Sequence, residues 1–334
     1  VPCSILFSFA SDSYRYAVRE IREAFPGEHR FERLGAEVAR LADSTVPVEQ
    51  VATACDEGRI MFVRHLTREI AGYALDDLPT EPELATTLLD ELTGRTVAVQ
   101  AWIDDGGTGG TYRRLIADAL ATRGVTSERS GQEVVVSAVV AGKQLLLGVN
   151  RLADSLSDWP GGQMRLARGK DRVSRSEFKL EEAIATFGLE LPKGGKALDL
   201  GASPGGWTRI LRQHGQEVWS VDPGSLDPRL RSDRRIHHEQ TTAGRFFAAN
   251  RVRFDVVVND MRMDQQTSAR MMLDAAAHLR PRGLAVITLK GGGQNPLDAT
   301  RHALQTLRAT YTIHHARQLH HNRNELTVVA RRAD

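Results

Sequence analysis

The sequence predicts an α/β protein. Its C-terminal half reads as a parallel, doubly wound sheet closed by an antiparallel hairpin, with an α+β region ahead of it. Three observations carry that reading. After about Ser176, short apolar runs alternate with helical periodicity, the pattern of strands joined by crossover helices. The last two strand-like runs are separated only by His320 to Asn324, too few residues for a parallel crossover. Before Ser176, strands and helices follow a looser order, with no internal repeat and no low-complexity stretch.

In chain order, Ser4 to Phe9 is an apolar strand, Tyr14 to Ala24 an amphipathic helix and Arg59 to Leu66 another strand. Pro79 and Pro82, set among acids, mark a boundary near residue 80. Thr96 to Ile103 reads as a strand and Thr111 to Thr122 as a helix; Glu133 to Val140 and Lys143 to Val149 are two strands turning at Ala141-Gly142. Asp154 to Arg175, rich in Gly, Pro, Arg and Lys, reads as a linker. Helix Glu177 to Phe187 then precedes strand Ala197 to Leu200, helix Trp207 to His214 and strand Glu217 to Val221. Strand Phe254 to Asn259, helix Ser268 to Leu279, strand Leu284 to Leu289 and helix Pro296 to Arg308 follow. Strands Thr312 to Leu319 and Leu326 to Ala330 complete the sheet. The domains expected are 1–80, 81–155, a basic linker 156–175 and 176–334.

Composition narrows the function. The 334 residues leave room for two or three domains, and 41% hydrophobic content excludes wholesale disorder. The 44 basic and 42 acidic residues nearly cancel, but unevenly. Residues 1–160 hold 16 basic and 24 acidic side chains, a net of −8; residues 161–334 hold 28 and 18, a net of +10. The basic half is the candidate for holding a polyanion. Two cysteines, Cys3 and Cys55, make neither a disulfide framework nor a four-ligand zinc site. No apolar run approaches a membrane span, and the N-terminal run lacks the basic flank of a signal peptide. A cytoplasmic protein without a membrane partner is expected.

The most specific short motif is DLGASPGGWT, Asp199 to Thr208, at a strand-to-helix turn, where open α/β sheets bind ligands. Gly201, Gly205 and Gly206 let a backbone approach a ligand with no Cβ in the way. The spacing is neither G-x-G-x-x-G nor a P-loop, and Pro204 removes an N–H that a pyrophosphate would use. A ligand carrying a ribose but no phosphate fits better. Asp222, in SVDPG at the end of the next strand, is placed to grip ribose hydroxyls.

DLGASPGGWT with SVDPG resembles the S-adenosylmethionine site of FtsJ-type ribose 2′-O-methyltransferases. SRSEFKLEEA (Ser174 to Ala183), NDM (Asn259 to Met261), TLK (Thr288 to Lys290) and RQLHHNRNELTVVARR (Arg317 to Arg332) extend the likeness. Together they resemble the RlmM-type branch, which methylates a cytidine ribose in bacterial 23S ribosomal RNA. The resemblance covers about 174–332. It implies a Rossmann-like S-adenosylmethionine-dependent methyltransferase sheet behind ferredoxin-like and THUMP modules, with ribosomal RNA or a ribosome precursor as partner. It also implies a cofactor site made of Asp199, Gly201, Ser203, Pro204, Gly205, Gly206, Trp207, Asp222 and Asp260.

Methylating a ribose hydroxyl needs in-line attack by the 2′ oxygen and a base for a very weak acid. Lysine can serve; arginine effectively cannot deprotonate. Only six of the 44 cations are lysines, and two of those, Lys179 and Lys290, fall at family catalytic positions. The resemblance implies a tetrad of Lys179, Asp260, Lys290 and Glu325. Lys290 is expected as general base, Lys179 as a second cation lowering its pKa, and the two acids as orienters. No metal is needed.

Arg165, Arg168, Lys170, Arg172 and Arg175 lead into the catalytic helix and read as a phosphate-contacting strip. Gly291 to Gly293, after Lys290, suggest a mobile loop, and the loop Asp104 to Thr111 a flexible turn. The pairs His237-His238, His314-His315 and His320-His321 lack a cysteine or carboxylate cluster to complete a metal site. In IHHEQTTAGRFF, Glu239 and Gln240 are displaced from the family's adenine-contacting acid, and Thr241 or Thr242 stands near its place. The rival readings are a methyltransferase of transfer RNA or another RNA, and a non-catalytic RNA-binding protein on the same fold. A nicotinamide oxidoreductase fails on glycine spacing. Base methylation is disfavoured, since no catalytic cysteine or Asn-Pro-Pro-Tyr-like stretch occurs.

Overall fold

The computed structural model describes residues 3–334 apart from 90–91, 93–94, 104–108, 168, 170 and 292–294. It divides into two compact units, Val1–Met164 and Arg165–Asp334. The expected linker is therefore shared between the units. No described helix is long and apolar enough to cross a membrane.

The first unit carries β1 (Cys3–Ser8), α1 (Tyr14–Ala24), β2 (Arg30–Arg33), β3 (Val38–Ser44), α2 (Val48–Asp56) and β4 (His65–Ala74). After them come α3 (Glu81–Leu89), β5 (Thr96–Ile103), α4 (Gly110–Ala121), β6 (Thr126–Glu128), β7 (Val134–Ala141) and β8 (Gln144–Arg151). Its eight described strands form one sheet in the order β2-β3-β1-β4-β8-β7-β5-β6. Strand β4 pairs with β1 on one side and β8 on the other, so the segments before and after residue 80 share that sheet. Helices α3 and α4 cover it, burying Leu84, Ile116 and Leu120 against Val97, Val136 and Leu147.

The strand expected at Arg59 to Leu66 lies further on, because the chain ahead of β4 is claimed by a helix. The amides of Met61 and Phe62 donate to Oε2 of Glu20, a buried carboxylate on α1, at 2.9 and 3.0 Å. Their backbone donors are satisfied without a sheet ladder.

The second unit carries α5 (Glu177–Thr186), β9 (Lys196–Leu200), α6 (Gly206–Gln213), β10 (Glu217–Val221), β11 (Ile236–Glu239) and α7 (Ala243–Ala249). It continues through β12 (Phe254–Asn259), α8 (Gln265–Ala276), β13 (Leu279–Lys290), α9 (Pro296–Leu307), β14 (Tyr311–Arg317) and β15 (Glu325–Arg332). The strand order is β11-β10-β9-β12-β13-β15-β14. The first five strands in that order are parallel; β15 pairs antiparallel with both β13 and β14. The expected Rossmann-like sheet with its C-terminal hairpin is present, and β15 is wedged between its partners.

Helix α8 starts earlier than its apolar pattern suggests, because the Asp264 carboxylate accepts the amide of Thr267 at 2.9 Å and caps it. It also ends earlier, since Leu279 pairs with Phe254 in the sheet.

Candidate active site

Parallel strands deliver their last residues to one edge, and β9, β10, β12 and β13 end beside one another. Gly201 to Pro204, Asp222, Asp260 and Lys290 therefore gather around a cleft of about 630 Å³.

Lys179, Asp260, Lys290 and Glu325 form a closed ring of alternating charge. Lys179 Nζ lies 3.1 Å from Asp260 Oδ1 and 2.5 Å from Glu325 Oε2. Lys290 Nζ pairs with Asp260 Oδ1 and stands 3.1 Å from Glu325 Oε1. Lys290 and Glu325 are direct register partners across β13 and β15. Each acid thus meets both lysines, whereas sequence reasoning set one lysine against the other. Burial pulls the pKa of Lys179 down, but the charge of Asp260 and the hydrogen bond to Glu325 more than offset it, so Lys179 is held charged.

Two buried acids position Lys179. Glu177 Oε1 accepts the amide of Val173 at 2.6 Å, and its Oε2 takes Arg172 Nη1 at 3.2 Å and Arg209 Nη1 at 2.9 Å. Glu182 Oε1 accepts the amide of His320 at 2.9 Å, and Oε2 accepts that of His321 at 2.7 Å. One acid holds the turn before α5 and the other the loop before Glu325. Asn322, fully buried, completes that loop by accepting from Leu319 N at 2.8 Å and Thr327 Oγ1 at 2.9 Å. Sequence reasoning missed all three. Helical spacing offered a signal: Glu177 and Glu182 share the buried side of α5 with Leu180 and Ala183.

The turn after β9 is closed to phosphate. The amides of Gly201 and Ala202 donate to Val221 O at 3.0 and 3.4 Å, that of Ser203 donates to Asp222 Oδ2 at 3.2 Å, and Pro204 has none. Asp222 also accepts from Gly224 N at 2.6 Å, and each of its oxygens keeps a lone pair for a ribose hydroxyl. A nucleoside-bearing group without a phosphate at this turn therefore fits the donor set.

The glycines serve packing as well as access. Gly201 has a φ of +77°, and a Cβ there would stand 2.6 Å from Met261 Cγ. A Cβ on Gly206 would overlap Ser174 Oγ and stand 2.7 Å from Ser176 Oγ. At Gly206 the protein itself fills the space expected for a ligand. Gly205, with a φ of +113°, begins α6. Trp207 lines the cleft while its indole N–H donates to Ser176 O at 2.8 Å. Asp199 lies beneath, 1% exposed; it accepts from Thr208 Oγ1 at 2.7 Å, and burial pushes its carboxyl up to about 7.

The arginine strip divides. Arg165 and Arg175 are exposed, and Arg175 lines the cleft. Arg172 is committed to the protein: Nη1 donates to Glu181 Oε2 at 2.6 Å, Nε to Ala167 O at 3.0 Å, and the guanidinium lies 4.1 Å over Phe178. Arg168 and Lys170 lie outside the described residues, as do Gly292, Gly293 and 104–108.

Elsewhere, Thr242 caps α7 by accepting Arg245 N at 3.4 Å, and Gln240 Nε2 donates to Pro223 O at 3.2 Å. Of the histidine pairs, His237 bonds Glu217 at 2.7 Å over Trp219, His315 stacks on Phe187, and His321 bonds Glu182.

Residues 172–290 match the FtsJ-like methyltransferase family. The ribosomal RNA large subunit methyltransferase M of Halorhodospira halophila is 40% identical over 177 residues, 52% of this chain and 51% of that protein. The chain thus spans about half the length of that relative. The enzyme of the same name from Laribacter hongkongensis is 30% identical over 295 residues, 80% of each chain. Among solved structures, TrmN from Thermus thermophilus overlays at a TM-score of 0.39 and 17% identity across 99% of this chain and 100% of that one, too loosely to bear on function. With 30% identity sustained over 80% of a relative's length, the chain belongs to the ribosomal RNA large subunit methyltransferase M family of FtsJ-like methyltransferases.

Proposed function

We propose that this protein is an S-adenosylmethionine-dependent ribose 2′-O-methyltransferase of large-subunit ribosomal RNA, acting on a cytidine. The ring of Lys179, Asp260, Lys290 and Glu325, beside a turn whose Gly201 to Ser203 amides are already engaged, carries the proposal. On this reading residues 1–80 and 81–155 would act as ferredoxin-like and THUMP-like modules that engage the RNA.

When bound, the cofactor supplies an electrophilic methyl carbon on a sulfonium. Asp222 would hold its ribose hydroxyls, with Ser203, Pro204 and Trp207 shaping the floor. Lys290, in its neutral form, would take the proton of the 2′ hydroxyl at Nζ. Asp260 and Glu325 fix where that nitrogen stands. Lys179, kept charged by the same two acids, would stabilise negative charge growing on the 2′ oxygen. Both acids touch both lysines, so the choice of Lys290 as base comes from the family likeness.

The test is a map of 2′-O-methylation on ribosomal RNA from cells with and without the gene. One cytidine should lose its mark without the gene and regain it with the parent protein, but not with Lys290→Ala. An unchanged ribosomal map with a lost mark in transfer RNA would move the substrate there.

A further inference from the structure

The loop into Glu325 carries a histidine whose ring is fixed in both plane and tautomer. His321 Nδ1 lies 2.8 Å from Glu182 Oε2, and the ring stacks on Phe178 with centroids 5.1 Å apart at 20°. That carboxylate oxygen already accepts the amide of His321, so it is an acceptor and Nδ1 carries the ring proton. In the neutral imidazole Nε2 is then a lone-pair acceptor. The side chain is 20% exposed and lines the cleft that holds Lys179, Lys290 and Glu325.

We infer that His321 Nε2 reads the base of the target nucleotide by accepting a hydrogen bond from an exocyclic amine. The inference rests on the ribose methyltransferase reading and deepens it. With the target ribose at the lysine–acid ring, its base lies against the adjoining wall, and His321 to Arg323 are the wall residues that run into Glu325. Unstacked bases of single-stranded RNA are commonly read by hydrogen bonds to their edges. An acceptor at this place favours cytosine, whose amine donates. It opposes uracil, whose keto oxygen would face Nε2 lone pair to lone pair and remain unsatisfied. Buried Glu182 is then a positioning residue that sets base choice by setting the tautomer.

The experiment compares kcat/KM on a ribosomal RNA fragment holding the mapped cytidine with that on the same fragment carrying uridine there. The parent should prefer cytidine by about tenfold or more. His321→Leu should bring the ratio near unity while leaving cofactor affinity, read by calorimetry, unchanged. His321→Lys, which exchanges the acceptor for a donor, should shift the ratio toward uridine, and it serves where His321→Leu does not fold. A parent without preference, or a ratio unmoved in His321→Leu, overturns the inference. A parent that methylates neither fragment instead overturns the underlying function.

Discussion

At the residue scale, a general base at Lys290 is open to direct test by substitution. Lys290→Ala should lower kcat by a factor on the order of 10²–10⁴, the range for losing a general base. Calorimetry should still show cofactor binding, and a variant with near-parental kcat would remove Lys290 from the chemistry. Asp199 offers a test in pH. Its folded carboxyl titrates at about 7, above its ordinary value of 3.8. Between those values the folded chain keeps a proton the unfolded chain has lost, so stability from this group falls as pH rises and levels off above 7. Asp199→Asn, free of that titration, should therefore gain on the parent in thermal midpoint between pH 5 and pH 8. A constant offset would contradict the assignment. The positions of Lys290 and Asp260 were readable because each lies at the end of an apolar strand. That Glu325 stands between the lysines was not, since it depends on where β15 enters the sheet.

At the element scale, the junction of α5 with α6 is the sensitive joint. Ser174 and Ser176 rest on Gly206, and Glu177 is bonded to Arg209 of α6. Gly206→Ala should overpack this joint at a cost of about 1–3 kcal/mol. Because Lys179 rides on α5, activity should fall further than stability. Unfolding by urea and methylation assayed on one preparation would check it; equal activity in both proteins would show that the joint does not hold Lys179. Most strands and helices of the second unit were legible because apolar runs and 3.6-residue periodicity are local signals. Strand β2, with the half-exposed sequence RFER, has no such signal and owes its place to pairing with β3. Helix α7 spans only seven residues and begins at a threonine cap rather than at an apolar pattern.

At the scale of the whole molecule, the charge division coincides with the division into units. Residues 161–164 carry no charge, so the −8 belongs to the first unit and the +10 to the second. RNA affinity should fall linearly in log–log terms as salt rises, and each lost phosphate contact should flatten that slope by about 0.7–0.9. Arg175→Ala should flatten it by one contact. Arg172→Ala should leave the slope alone and destabilise the fold, because its guanidinium is engaged by Ala167, Glu177 and Glu181. Filter binding across a salt series would decide, and a flatter slope for Arg172→Ala would return that residue to the RNA surface. The basic strip was legible as composition. Its internal use by Arg172 was not, because it depends on α5 bringing Glu177 and Glu181 to the same guanidinium.

The position of β15 also sets when the protein can begin to work. This strand leaves the ribosome after every other strand of its sheet, yet it must enter between β13 and β14 rather than add to an edge. The sheet cannot close strand by strand in order of synthesis, so β14 must wait or part to admit its successor. Glu325 is the first residue of that late strand, opposite Lys290. A nascent chain lacking it would hold Asp260 and both lysines but an incomplete ring. Competence for methylation would then arrive in one step, with the docking of the hairpin.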